Sequence, residues 1–263
     1  MIRLHKLSLG YGGRMLLQGA DVGFGRGEFS ALIGRNGTGK STLLRAIAAL
    51  QRPTEGHITL GGKPLSQMNA RRIASLISFV STDEVRVPNL RVADVVALGR
   101  APYTDWAGRL GEEDRLIVLR SLKLVGMESF AAKHIDRLSD GERQRAMIAR
   151  ALAQDTPVIL LDEPTAFLDL PNKYEIGLLL RELAHREGKC ILFSTHDLGV
   201  ALELCDTIAM IHDCRLIHAA AQDLIDQGLL GRLFEDTPLW FDTATRQVRL
   251  KKQSCEPQNI CKY

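Results

Sequence analysis

Gly34-Arg35-Asn36-Gly37-Thr38-Gly39-Lys40-Ser41, with Thr42 behind it, runs directly out of the apolar segment 29–33. The spacing is G-x-x-x-x-G-K-[ST], and each position suits a phosphate. Glycines let the backbone wrap an anion and turn its N–H groups inward. A helix opening near Ser41 adds its positive end. Lys40 has the reach for β- and γ-phosphates, and the Ser41 hydroxyl suits Mg²⁺. A glycine turn that merely caps a helix needs no strand before it. Here a strand over 29–33 is expected on one side, and on the other a helix from Ser41 to about Leu50, stopped by Pro53.

A second signal lies downstream. Val158-Ile159-Leu160-Leu161 is wholly apolar and ends in Asp162-Glu163. A buried strand ending in Asp places that carboxylate at the sheet edge where α/β folds bind ligands. Asp162 is suited to share Mg²⁺ with Ser41. Glu163, adjacent and pointing the other way on the pleat, is suited to orient and deprotonate a water. The second acid argues for hydrolysis of the nucleotide rather than its storage.

Around these two segments the periodicity changes twice. The first forty residues alternate short apolar runs with glycine turns, predicting antiparallel strands, and HITLGG at 57–62 predicts another. From about 92 to 154 the period is helical, with candidate helices over 92–98, 112–125 and 142–153. Apolar strands over 158–161 and 190–194 follow, with a helix over 175–186 between them, which predicts a parallel sheet buried on both faces. A helix over 198–204 capped by Asp197 and a hairpin pairing 207–211 with 215–219 complete the pattern.

Composition narrows the class. The 263 residues are 45% hydrophobic and 25% charged, which excludes disorder, collagen and coiled coil as the overall type. The charge of +3 and the absence of a Lys/Arg stripe give no reason to expect a nucleic-acid partner. The longest run free of Asp, Glu, Lys and Arg is the ten residues 73–82, half the roughly 20 that a membrane-spanning helix needs. Nor does the N-terminus read as a signal peptide. Five scattered cysteines form no C-x-x-C and suggest a reducing compartment.

The segments together resemble the ATPase subunits of ATP-binding cassette (ABC) transporters. GRNGTGKST and VILLDEPTAFLD are similar to that family's two Walker motifs and D-loop. Leu138-Ser139-Asp140-Gly141-Glu142 resembles its signature, usually LSGGQ or LSGGE, about 100 residues after the loop. Ser194-Thr195-His196-Asp197 resembles the switch-histidine motif, and Tyr11, 23 residues before the loop, the aromatic residue that stacks on adenine. The resemblance implies an α/β fold: a P-loop NTPase (RecA-like) core with an N-terminal antiparallel β subdomain and an inserted α-helical subdomain. Residues 1–250 form one domain, with 1–84 and 156–250 as the catalytic core and about 85–155 as the helical part. Residues 251–263 are a polar tail.

The same resemblance implies ATP and Mg²⁺ as cofactors and a homodimer enclosing two ATPs. Each signature, Ser139, Asp140, Gly141 and Glu142, then faces the partner's loop, and Asp169 bridges the subunits. Transmembrane permease subunits are implied as partners, with a substrate-binding protein as an indirect one, and a peripheral position on the cytoplasmic face of the inner membrane. Lys40, Glu163 and His196 become the catalytic set, with His196 against the γ-phosphate. Two motifs keep a second reading. Ser139-x-x-Glu142 is also a capping box, compatible with anion binding, and a histidine ending an apolar strand is often a plain core residue.

Three departures stand out. Asp140 replaces a glycine and brings negative charge near phosphate. Thr82 falls where the family carries a glutamine, and its shorter hydroxyl is assigned to a metal-bound water. The hairpin near Cys214 lacks the usual glycine. Leu98-Gly99-Arg100-Ala101-Pro102 resembles the GRxP segment of importer ATPases for iron–siderophore complexes, haem and vitamin B12; otherwise Arg100 is a surface arginine before a turn. The alternatives are a soluble, non-transport ABC-type ATPase or a transporter subunit for another substrate class. The guanine-reading N-K-x-D of GTPases is absent.

Overall fold

Alternation along Ile2-Arg3-Leu4-His5 sends every second side chain to one side, and the strand that results, β1 (Ile2–Tyr11), buries Ile2 and Leu4. The described residues of this computed structural model are 1–81 and 89–251. After β1 come β2 (Arg14–Ala20), β3 (Gly23–Phe24), β4 (Phe29–Gly34), α1 (Lys40–Ile47), β5 (Glu55–Leu60) and β6 (Lys63–Pro64). The first sheet is antiparallel, ordered β2-β1-β5-β6 with β3 also on β1. Its register sets Ile2 opposite Leu60 and Leu4 opposite Ile58 on the core face; Arg3–Thr59 and His5–His57 alternate onto the other face.

Next follow α2 (Ala70–Ala74), β7 (Ile77–Val80), α3 (Val92–Ala97), α4 (Glu112–Leu124), α5 (Asp140–Ala153), β8 (Val158–Leu161), α6 (Leu170–Glu187), β9 (Cys190–Ser194), α7 (Leu198–Leu204), β10 (Thr207–His212) and β11 (Arg215–Ala220). The second sheet is ordered β11-β10-β4-β9-β8-β7, parallel throughout except for the β10–β11 hairpin. Strands β8 and β9 are buried along their whole length, as continuous apolar runs in a sheet covered on both faces must be. α1 lies between the sheets: Leu43, Leu44 and Ile47 join Ile2 and Leu4 of the first and Leu32, Leu160 and Leu192 of the second in one apolar cluster. The helices α3, α4 and α5 pack on one another, and α5 also packs on β7.

Strand and helix positions follow the sequence pattern, with differences at some element ends; α5, for one, opens at Asp140 and not at 142. α1 stops at Ile47, because Ala49 turns left-handed at φ 58°. α6 begins at Leu170, five residues before the expected start, since Asp169 caps it and Pro171 fits its first turn. The β10–β11 turn uses Asp213 and Cys214 at φ 46° and 57°, two successive left-handed residues made without glycine. Thr82 lies outside the described residues.

The chain divides into two compact units, Met1–Ala221 and Gln222–Tyr263. Within the second, β12 (Leu239–Asp242) and β13 (Gln247–Leu250) form an antiparallel hairpin, preceded in sequence by α8 (Ala221–Asp226), which begins at the boundary. Among the described residues no helix is long and apolar enough to cross a membrane.

Candidate functional site

The loop joining β4 to α1 floors an open cleft of about 380 Å³ lined by Tyr11, Arg14, Leu16, Asn36, Gly37, Gly39, Lys40, Ser41, Thr42 and Glu163. Eight of these ten are predicted site residues. Tyr11 ends β1 and is 75% exposed, free to take a planar ligand on its ring. Gly39 is the N-cap of α1 at φ 102°, and a Cβ there would lie 3.0 Å from Leu16 Cβ, so only glycine keeps this turn open. Lys40 is buried, and its ammonium donates to Gly34 O at 2.9 Å and Arg35 O at 3.4 Å. Thr38 Oγ1 donates to Arg35 O at 2.9 Å, tightening the same loop. Burial pushes the Lys40 amine below its usual range, while the Glu163 and Asp162 carboxylates pull it back.

At the end of β8 two acids meet β9. Asp162 is buried; its Oδ1 accepts from Ser194 Oγ at 2.6 Å, and its Oδ2 has no hydrogen-bond partner among the described residues. Glu163 sits at φ 50°, a left-handed backbone that costs a glutamate about 1–2 kcal/mol. Ser194 Oγ accepts the Glu163 N–H at 2.9 Å and so holds that turn. Glu163 Oε1 lies 2.6 Å from His196 Nε2. The strain and the His contact aim the Glu163 carboxylate into the cleft beside Lys40. A buried carboxylate oxygen left unpaired is the donor that a hard, oxygen-seeking cation such as Mg²⁺ takes.

The signature segment is elsewhere in the chain and does not line this cleft. The capping box there is complete: the Ser139 N–H donates to Glu142 Oε2 at 2.8 Å, and the Glu142 N–H donates to Ser139 Oγ at 3.3 Å. The Ser139 N–H and the Ser139 hydroxyl, both donating to Glu142 Oε2, hold the Glu142 carboxyl below its usual range. Asp140, 63% exposed, points outward and pairs with Arg143 at 3.0 Å, which offsets the charge it brings. Gly141 is pressed close to Phe167 O and Leu168, so the signature turn abuts the segment after Glu163. Asp169 Oδ1 accepts the Asn172 N–H at 3.1 Å as the cap of α6, and Asp197 caps α7 through the Val200 N–H at 3.3 Å.

The family model described as ABC transporter matches residues 17–166, more than half of the chain. The chain belongs to the ABC transporter family. Cassettes of this family are ATP-binding ATPases, and so is this one. It is 36% identical over 234 residues to the achromobactin transport ATP-binding protein of Dickeya dadantii, covering 89% of this chain and 87% of that one. To the iron(3+)-hydroxamate import ATP-binding protein of Bacillus subtilis it is 35% identical over 231 residues, covering 88% and 86%. Among solved structures it is similar to the dimeric post-hydrolysis state of the cassette MJ0796 bound to ADP and Pi, with TM-score 0.75, 30% identity, and 84% and 99% of the two chains covered.

Two features of the cassette site escaped the sequence reading. Ser194 has no role in the sequence pattern beyond its place in the segment 194–197. β8 and β9 pair Leu161 with Phe193, so the next residues, Asp162 and Ser194, are neighbours, a register that the two apolar runs alone do not set. Arg14 faces Tyr11 across β1–β2 and enters the cleft, a pairing that needed the register. Arg100 turned out to be no surface arginine. It is buried, its Nε donates to Asp114 Oδ1 at 2.8 Å, its Nη1 donates to Ala153 O at 3.0 Å, and its guanidinium lies 4.1 Å from the Tyr103 ring centre.

Proposed function

We propose that the cassette powers import of an iron chelate, working as one of two identical copies on the cytoplasmic face of a membrane beside transmembrane permease subunits that a substrate-binding protein supplies. The observation that carries it is the line of groups at the ends of β8 and β9: Asp162 with one oxygen unpaired, then Glu163 against His196, beside the buried Lys40. Tyr11 stacks on adenine. The loop 34–42, with Gly34, Arg35, Asn36, Gly37, Thr38, Gly39, Lys40, Ser41 and Thr42, cradles the phosphates. Ser41 and Asp162, with Thr82 as a further oxygen, hold Mg²⁺, which when bound spreads the charge of the β- and γ-phosphates. Glu163 takes the proton of the attacking water, and His196 fixes the Glu163 carboxylate and contacts the γ-phosphate.

In this reading residues 1–250 act as one domain. Ser139, Gly141 and Glu142, with Asp140 turned aside, meet the ATP held by the second copy, and Asp169 lies at the join. The iron-chelate assignment is supported by the relatives named for achromobactin transport and iron(3+)-hydroxamate import, and by the Gly99-Arg100-Ala101-Pro102 segment. The test is phosphate release by Glu163→Gln beside wild type, with mass followed by light scattering. Loss of turnover by about a hundredfold or more, with an ATP-dependent dimer, is expected. Wild-type turnover by a monomer would overturn the reading.

A further inference from the structure

Arg14 is exposed at the start of β2, directly opposite Tyr11 at the end of β1. Gly12 and Gly13, at φ 57° and 80°, close the tight turn between them. Both side chains line the nucleotide cleft. Two residues further along β2, roughly 7 Å on, Leu16 abuts Gly39 at the N-terminus of α1. The strand thus carries Arg14 at the Tyr11 end of the cleft and Leu16 at the phosphate-loop end. Among the described residues nothing engages the Arg14 guanidinium. The neighbouring charges are engaged: Lys40 on the Gly34 and Arg35 carbonyls, Glu163 beside His196.

We infer that Arg14 is a further nucleotide ligand of this cassette and that its guanidinium pairs with the α-phosphate. The inference rests on the reading that Tyr11 takes the adenine and the loop 34–42 the terminal phosphates. A nucleotide spanning those two points passes its ribose and α-phosphate beside the start of β2. Lys40 is assigned to the β- and γ-phosphates, so the inner phosphate has Arg14 as its cation. A guanidinium presents a planar fork of N–H donors that meets a phosphate with two parallel bonds. ATP and ADP share the α-phosphate, so Arg14 holds substrate and product alike. Such uniform binding lowers KM and leaves the barrier at the γ-phosphate to Glu163, His196 and Lys40.

The experiment is calorimetric titration of ADP, alone and in competition with adenosine, into the nucleotide-free full-length protein and its variants Arg14→Gln, Arg14→Lys and Tyr11→Ala. Arg14→Gln is expected to weaken ADP about tenfold and adenosine less than about twofold, because only ADP carries the phosphate. Arg14→Lys, a cation without the fork, is expected to recover part of that loss. In phosphate release, the KM of Arg14→Gln for ATP is expected to rise by a similar factor. ADP bound by Arg14→Gln as tightly as by wild type would overturn the inference. So would an equal loss for ADP and adenosine, which would put the guanidinium on the base or sugar. Tyr11→Ala tests the underlying reading separately and is expected to weaken both ligands. Unchanged affinities in that variant would overturn the placement of adenine, and the inference with it.

Discussion

The hydroxyl of Ser194 donates to Asp162 and accepts the Glu163 N–H, so a single oxygen orients both acids of the site. Removing it leaves a buried carboxylate oxygen without its donor and a strained N–H without its acceptor. Ser194→Ala is therefore expected to lower ATP turnover about ten- to a hundredfold and to raise the Mg²⁺ concentration for half-maximal rate, read from phosphate release across a Mg²⁺ series. Ser194→Thr keeps the oxygen and is expected to recover most of that loss. His196 acts on the other side of the same carboxylate. His196→Gln, which retains a donor of similar reach, should lose less turnover than His196→Ala in the same assay.

Among the elements, the segment 99–102 fastens the helical insert. A Cβ on Gly99 would come within 2.2 Å of Arg150 O, and Arg100 joins the last turn of α5, through Ala153 O, to Asp114 at the start of α4. Arg100→Met keeps the bulk but removes the Arg100 donor from Asp114 Oδ1 and Ala153 O, leaving Asp114 only the Gly111 N–H; a loss of about 2–4 kcal/mol in urea unfolding is expected. Sequence legibility follows the same elements. The runs 158–161 and 190–194 were readable to the residue because an unbroken apolar stretch between polar ends has only one buried-strand solution. The helical period opens the signature helix at 142, two residues late, although Ser139 as its cap requires Asp140 to open it. The start of α6 is not marked by the apolar period, because Pro171, Asn172 and Lys173 interrupt it, although Asp169 caps the helix there. The burial of Arg100 depends on where α4 and α5 meet, which no local pattern encodes.

At the scale of the whole molecule, acid stability has an identifiable contributor in Glu28. Burial pushes its carboxyl up, but bonds from His218, Thr207, the Gly25 N–H and Ser30 outweigh that and hold it at about 2, against 4.5 for the free side chain. A carboxyl depressed on folding stabilises fully above its unfolded value and less as pH falls toward its folded one, so the contribution fades between about pH 4.5 and pH 2. The difference in unfolding free energy between wild type and Glu28→Gln is expected to be about 3 kcal/mol at pH 6 and to shrink steadily toward pH 2.5 in urea titrations. The backbone at Glu163 acts on the same global stability from the opposite side. A residue held at φ 50° for the sake of its carboxylate is a local flaw that glycine would repair. Glu163→Gly is expected to melt about 2 °C above wild type while hydrolysing no ATP. Selection for heat tolerance alone would thus favour loss of the acid, and any thermostabilised version of this chain has to be screened for turnover at every round.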